Sequence, residues 1–277
     1  MLVFGHRGAC GYLPENTMES FELAFSQGAD AIEFDVVMTK DHRAVILHDN
    51  DLTHTTDIAS KNFLSNRVEA LNLEDISQLR VKERYPDSRI ESASHSGKFQ
   101  IPTLRQVLEN RNFDGKHLII EVKHGKHFQS LGLDIVSEVA GELDSSEWKS
   151  RNIKITLECF EFEILRQLKA VIGEAAEYVF LSAPDTLPAG KPMLDRELLT
   201  EIAENFDGVS VAISMLFQSD LVPSAKNLGL KVFAYTARVE TAEGDVSSWF
   251  ERLIDTGIDG LFADQPDVLI KVVGEKS

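Results

Sequence analysis

Short apolar or β-branched runs alternate with segments of helical period along most of the chain. LVFGH (Leu2 to His6), AIEFDVV (Ala31 to Val37), LIIEVK (Leu118 to Lys123), IKITLECF (Ile153 to Phe160), YVFLSA (Tyr178 to Ala183), GVSVAI (Gly208 to Ile213), KVFAYTA (Lys231 to Ala237) and GLFAD (Gly260 to Asp264) predict eight strands. Between and after them TMESFELAFSQG, LRQVLEN, HFQSLGLDIVSEVAGEL, FEILRQLKAVI, DRELLTEIAENF, SDLVPSAKNLG, VSSWFERLIDTG and DVLIKVVG predict helices. In the first of these, Phe21, Ala24, Phe25 and Gly28 share a face, and Gly28 marks the stop.

Strands and helices in strict alternation predict an α/β fold, a (β/α)8 TIM barrel, for which 277 residues is an ordinary length. A doubly wound open sheet is the rival. No G-x-G-x-x-G follows the first strand, which weighs against its nucleotide-binding form. One segment departs from the alternation. After AVILHD (Ala44 to Asp49), residues 55–100 are polar throughout and read as a small insertion after the second strand region, with a short helix near Leu73 to Leu79. Such a long connection is expected to serve as a lid or binding loop. With no linker or internal repeat, residues 1–277 are expected to form one domain.

The same alternation sorts the polar residues, because successive strand side chains point to opposite faces. Ile32, Phe34 and Val36 suit packing against helices, which turns Glu33 and Asp35 toward the barrel axis. Glu121 and Lys123 share a face in the same way, as do Phe4 and His6. All the polar members fall late in their strands, at the end where barrel enzymes place their active sites. Three inward carboxylates with one lysine leave excess negative charge, and a divalent cation is the simplest remedy. Oxygen donors favour a hard ion, Mg2+ or Ca2+, over zinc. Asn16, with Glu19 three residues on, also reads as a helix N-cap. Asp264 and Asp267 read mainly as helix-start residues.

Composition narrows the partners. The chain is 43% hydrophobic and 26% charged, enough to bury a core, and its 28 Lys+Arg against 45 Asp+Glu give a formal net charge of -17. Nucleic acid and anionic membrane surfaces are repelled by such a surface. An anionic small substrate then needs a local positive site, a metal or a basic pair. Cys10 and Cys159 lack close-spaced partners and read as small buried hydrophobes. No apolar run long enough for a membrane span and no leader after Met1 are visible, so a cytoplasmic location is expected.

Taken in order, His6-Arg7-Gly8, Pro14-Glu15-Asn16-Thr17, Glu33-Phe34-Asp35, His48-Asp49, Glu121-Val122-Lys123 and Asp259-Gly260…Asp264-Gln265-Pro266-Asp267 resemble the glycerophosphodiester phosphodiesterase family over nearly the whole chain. The resemblance implies a (β/α)8 barrel of lipid and glycerol metabolism that hydrolyses glycerophosphodiesters, such as glycerophosphocholine or glycerophosphoethanolamine, to sn-glycerol 3-phosphate and an alcohol. It implies a metal (Mg2+ or Ca2+, with Mn2+ a further candidate) on Glu33, Asp35 and Glu121, acid–base work by His6 and His48, and phosphate contact by Arg7 and Lys123. Glu15 and Asn16 are expected to brace the site or its substrate from their loop, and Phe160 and Tyr235 to line the pocket. The chain carries Cys159-Phe160 where the family often has Ser-Phe, and Tyr235-Thr236 where many members have Trp-Thr, which bears on head-group preference. Three alternatives share the barrel: a lysophospholipase D, a lyase that stops at a cyclic phosphate, and a catalytically silent phosphodiester-binding protein.

Overall fold

The computed structural model describes every residue except Gly190, Pro192, Ser219 and Ser277; Ser219 opens the segment SDLVPSAKNLG and Ser277 closes the chain. Among the described residues, nine strands form one sheet: β1 (Leu2–His6), β2 (Ala31–Met38), β3 (Ala44–Ile46), β4 (His117–Val122), β5 (Lys154–Cys159), β6 (Glu177–Ser182), β7 (Gly208–Ala212), β8 (Lys231–Ala237) and β9 (Gly260–Ala263). Eight run parallel in the cyclic order β1-β2-β4-β5-β6-β7-β8-β9, and β1 pairs with both β2 and β9 to close the barrel. The expected (β/α)8 barrel is therefore the fold. The ninth, β3, is an antiparallel hairpin partner of β2, with Val36 opposite Ile46, and it carries the chain back to the barrel rim just before His48.

Side chains fill the barrel interior. Phe4, Ala31, Ile119, Val179, Phe233 and Phe262 form a dry plug. Phe4 stands edge-on to Phe233 with centroids 5.0 Å apart, an arrangement favoured by the ring quadrupoles. One pleat further along the same faces come Glu33, Glu121 and Glu158; Glu121 lies in register with Asp35 on one side and Glu158 on the other. All eight residues of β2 are buried, so the alternation decides only which neighbours they meet. Ile32, Phe34 and Val36 join the large core under the helices.

Two local expectations are corrected. HFQSLGLDIVSEVAGEL is not one helix: it breaks into Gly125–Ser130 and Ile135–Ser145. Gly132 turns left-handed between them at φ 76°, and the Asp134 side chain caps the second helix by accepting the Ser137 amide. Asn16 is not the N-cap of the first helix, Met18–Ser26; Thr17 accepts the Ser20 amide in that role.

The insertion carries the short helices Leu73–Ser77 and Ile90–Ala93. Its Ile58, Val68, Ile76, Leu79 and Val81 are buried in the same core as the barrel helices, so it is anchored to the body by apolar contact.

Candidate active site

β1 ends at His6, and the chain turns at once. Arg7 adopts φ 53° and Gly8 φ 85°. Gly8 lies against the first turn of the helix Met18–Ser26, where a Cβ would come within 2.5 Å of the Ser20 carbonyl carbon, so only glycine fits. The turn points the Arg7 backbone amide at Glu33, which accepts it at 2.9 Å. Asn16 is also left-handed, at φ 60°, a conformation asparagine tolerates better than most residues. This places its side chain around Asp35: Nδ2 donates to Asp35 Oδ2 at 2.9 Å, and Oδ1 accepts the Asp35 amide at 3.2 Å.

The carboxylates converge. Glu33, Asp35 and Glu121 each offer an oxygen within 4.8 Å of the other two, all buried. Asp35 Oδ1 has no hydrogen-bond partner among the described residues. Lys123 Nζ lies 2.8 Å from Glu121 Oε1 and 3.8 Å from Asp35 Oδ1. Burial pushes the Asp35 carboxyl up, but Arg7, His48 and Lys123 outweigh it and hold it well below the carboxylate range. Glu33 moves the other way: burial, then the charges of Asp35 and Glu121, push it well above its ordinary value. Burial also raises Glu121, against the pull of Lys123. An acid cluster with an orphaned oxygen and a carboxyl driven toward protonation is a set of donors that fits a hard divalent cation.

Each histidine is backed by a carboxylate. His6 Nδ1 donates to Asp264 Oδ1 at 2.6 Å, and His48 Nδ1 donates to Asp49 Oδ1 at 2.6 Å. An ionised carboxylate only accepts, so both rings carry their proton on Nδ1 and keep Nε2 for chemistry. Lys123 Nζ donates to His48 Nε2 at 3.2 Å. Burial and the neighbouring Arg7 bring His6 down to about 4, against the pull of Asp264.

Asp264 is thus more than a helix-start residue. Lying just past β9, it turns inward, is 1% exposed, and meets Arg89 and Arg238 as well as His6. Burial opposes its ionisation, but the hydrogen bond from His6 and the Arg238 and Arg89 guanidiniums outweigh that cost and hold it well below its ordinary value. The late DQPD run holds no hint of this, because its partner lies 258 residues away.

His6, Arg7, Glu33, His48, Glu121, Lys123, Phe160 and Tyr235 line one cavity of about 330 Å³ at the C-terminal mouth of the barrel. Phe160 and Tyr235 meet edge to face at 6.0 Å, and Lys123 Nζ sits 5.6 Å from the Phe160 ring centroid. Glu15 and Asn16 are not among the lining residues. They stand behind it: Glu15 accepts from Arg7 at 3.0 Å and from Arg84 Nη2 and Nε at 2.7 and 2.9 Å. Burial opposes ionisation of Glu15, yet Arg7 and Arg84 bring it down to about 2.

Glu158 also faces this cavity and went unflagged in the sequence, although the alternation of IKITLECF puts it inward with Thr156 and Phe160. It is 2% exposed, and its Oε1 lacks a partner among the described residues. Burial, then Glu121 and Asp35, raise its pKa well above normal.

The description "Glycerophosphoryl diester phosphodiesterase family" matches residues 6–268. The chain belongs to that family. It is accordingly a phosphodiesterase. Glycerophosphodiester phosphodiesterase of Haemophilus influenzae is 27% identical over 322 residues, spanning 96% of this chain and 88% of that protein. Its namesake in Caldanaerobacter subterraneus is 27% identical over 98% of this chain and 97% of that protein. Among solved structures, an Oleispira antarctica phosphodiesterase in complex with the product sn-glycerol-3-phosphate superposes with a TM-score of 0.78 at 22% identity, covering 99% of this chain and 97% of that one. That superposition speaks for the shared barrel fold. No helix among the described residues is long and apolar enough to cross a membrane.

Proposed function

We propose that this phosphodiesterase hydrolyses glycerophosphodiesters, glycerophosphocholine or glycerophosphoethanolamine among them, to sn-glycerol 3-phosphate and an alcohol. The observation that carries the reading is one cavity bordered by both carboxylate-backed imidazoles and by Glu33 and Glu121 of the carboxylate trio. Glu33, Asp35 and Glu121 would hold Mg2+ or Ca2+, which when bound polarises a phosphoryl oxygen and stabilises the charge built there.

The chain's own residues do the rest. Arg7 and Lys123, which border the cavity, attract and orient the anionic phosphate; the guanidinium supplies a fork and the ammonium a point charge. One imidazole, neutral with Nε2 free, takes the proton of the attacking oxygen, while the other acts as the imidazolium and delivers its Nε2 proton to the leaving alkoxide. Asp264 and Asp49 hold the Nδ1 proton of each ring and so aim both Nε2 atoms at the cavity. Phe160 and Tyr235 form an aromatic wall for the substrate's apolar faces. Glu15 fixes Arg7 and Asn16 fixes Asp35. Glu158, which shares the cavity lining with Leu181 and Phe262 and whose Oε1 has no partner among the described residues, receives the hydroxyls of the glycerol end. For that last role, Glu158→Leu raises KM for glycerophosphocholine and leaves a diester without hydroxyls unaffected; equal losses on both substrates would refute it.

The deciding experiment is choline release from glycerophosphocholine. Wild-type enzyme with Mg2+ or Ca2+ releases choline, and His6→Ala and His48→Ala each abolish it. Full activity in either variant, or activity untouched by exhaustive chelation, rejects this mechanism. Phosphorus NMR of the product separates hydrolysis from a reaction that halts at a cyclic phosphate.

A further inference from the structure

The insertion meets the two imidazoles' carboxylates at both ends of one short stretch. Arg84 Nη1 lies 2.7 Å from Asp49 Oδ2, the oxygen of Asp49 that His48 does not use. Five positions on, Arg89 pairs with Asp264 Oδ2, the oxygen that His6 does not use. Each histidine therefore heads the same relay, imidazole to carboxylate to guanidinium, and both guanidiniums come from residues 84–89.

That stretch is built to hold them still. The Arg89 amide donates to the Tyr85 carbonyl at 2.9 Å, and the Arg89 guanidinium lies 5.3 Å from the Tyr85 ring centroid. Buried Glu83 closes the loop from below, accepting the Tyr85 amide at 2.8 Å and the Ser92 hydroxyl. The far sides of both arginines are tied down too. Arg84 grips Glu15 through Nε and Nη2, and Arg89 donates to Glu240 at 2.7 Å and to the Cys10 carbonyl at 3.1 Å. Asp264 has a second cation, Arg238, at 2.8 Å; Asp49 has only Arg84 among the described cations.

We propose that Arg84 and Arg89 are positioning residues for the acid–base pair, so that the insertion sets the orientation of both catalytic imidazoles at once. Neither arginine is among the residues lining the main cavity. Their action runs through Asp49 and Asp264. The inference rests on the acid–base roles given above to His6 and His48. Because a ring turned away from its attack geometry is costly, loss of either brace lowers kcat by about 10- to 100-fold with little change in KM. Arg84, the sole guanidinium on its carboxylate, has the larger effect.

The test is steady-state kinetics of Arg84→Ala, Arg89→Ala and Arg89→Lys on two diesters, glycerophosphocholine and a glycerophosphodiester with a p-nitrophenyl leaving group. Wild-type turnover is read first; its absence on both would count against the proposed function rather than against the brace. On glycerophosphocholine both arginine variants lose kcat. The activated leaving group departs without a proton, so the variant behind the general acid recovers while the one behind the base does not. Added guanidinium ion restores Arg84→Ala in part, an effect that a purely structural lesion would not show. Arg89→Lys keeps a charge beside Asp264, so it remains folded should the alanine variant not, and shows an intermediate kcat. Unchanged kcat in Arg84→Ala overturns the proposal. So does a loss confined to KM, which would make Arg84 a substrate contact, or a loss that is equal on the two diesters in Arg84→Ala and Arg89→Ala alike.

Discussion

The carboxylate trio should make the enzyme less stable without its cation than with one, and Glu33→Gln should reverse this. Glutamine keeps the carbonyl acceptor for the Arg7 amide and removes the charge. The three oxygens lie within 4.8 Å of one another. Two unit charges at that separation repel by about 3 kcal/mol at an effective dielectric constant of about 20. Arg7 and Lys123 offset part of this, leaving an expected net gain of about 2 kcal/mol for Glu33→Gln in chelator at a pH where Glu33 is ionised in the native protein. For a chain of this size that is a rise in melting temperature of roughly 4–8 °C. The pH dependence follows with a definite sign. The native pKa of Glu33 lies above its ordinary 4.5, so native protein holds a proton that the unfolded chain has released. Stability due to the wild-type side chain therefore falls as pH rises above 4.5, and the advantage of glutamine grows over the same window. Thermal denaturation in chelator, across pH, reads both effects. Titration with Mg2+ or Ca2+ then stabilises wild type, by about 2.7 kcal/mol at a hundredfold excess over Kd, and leaves Glu33→Gln almost unmoved. A lower melting temperature for Glu33→Gln in chelator, or an equal response to the cation, would refute the electrostatic argument.

Asp264→Asn should cut kcat by about 10²- to 10⁴-fold with KM little changed, since an amide no longer dictates the His6 tautomer; retained kcat in steady-state assays would show that His6 needs no anion. His6 contributes to acid sensitivity. With its native pKa near 4 against 6.5 unfolded, the unfolded chain binds more protons between those values, so its stabilising contribution is full above pH 6.5 and drops by about 3 kcal/mol as pH falls to 4. His6→Gln should lose less stability than wild type across that window in denaturant titrations, and parallel curves would count against the assignment. Gly8→Ala should destabilise by several kcal/mol, because it demands a left-handed alanine and sets a Cβ on the Ser20 backbone; a melting temperature within 2 °C of wild type would contradict that packing.

The eight barrel strands were readable because each buries a β-branched or aromatic face on helices, and their polar exceptions announced the inward carboxylates. The same logic, applied to IKITLECF, would have found Glu158. The hairpin strand β3 was read only as an apolar run, since its pairing depends on the turn from Met38 to Ala44 and not on its own period. Asn16 was misjudged as a cap because Thr17 and Asn16 are chemically interchangeable there; the left-handed turn that decides between them is a tertiary effect. Arg84, Arg89 and Asp264 carry no local signal. They matter through ion pairs that join residues scores of positions apart, and a polar insertion looks the same in sequence whether its arginines face water or a buried acid.

The pairing of β1 with β9 places His6 and Asp264, 258 residues apart in sequence, in one hydrogen bond. A nascent chain emerging from the ribosome exposes His6 first, with its strand edge open and its anion not yet translated. That hydrogen bond can form only after β9 has been synthesised and has docked on β1. Until then the β1 edge that β9 will cover is open to wrong pairing.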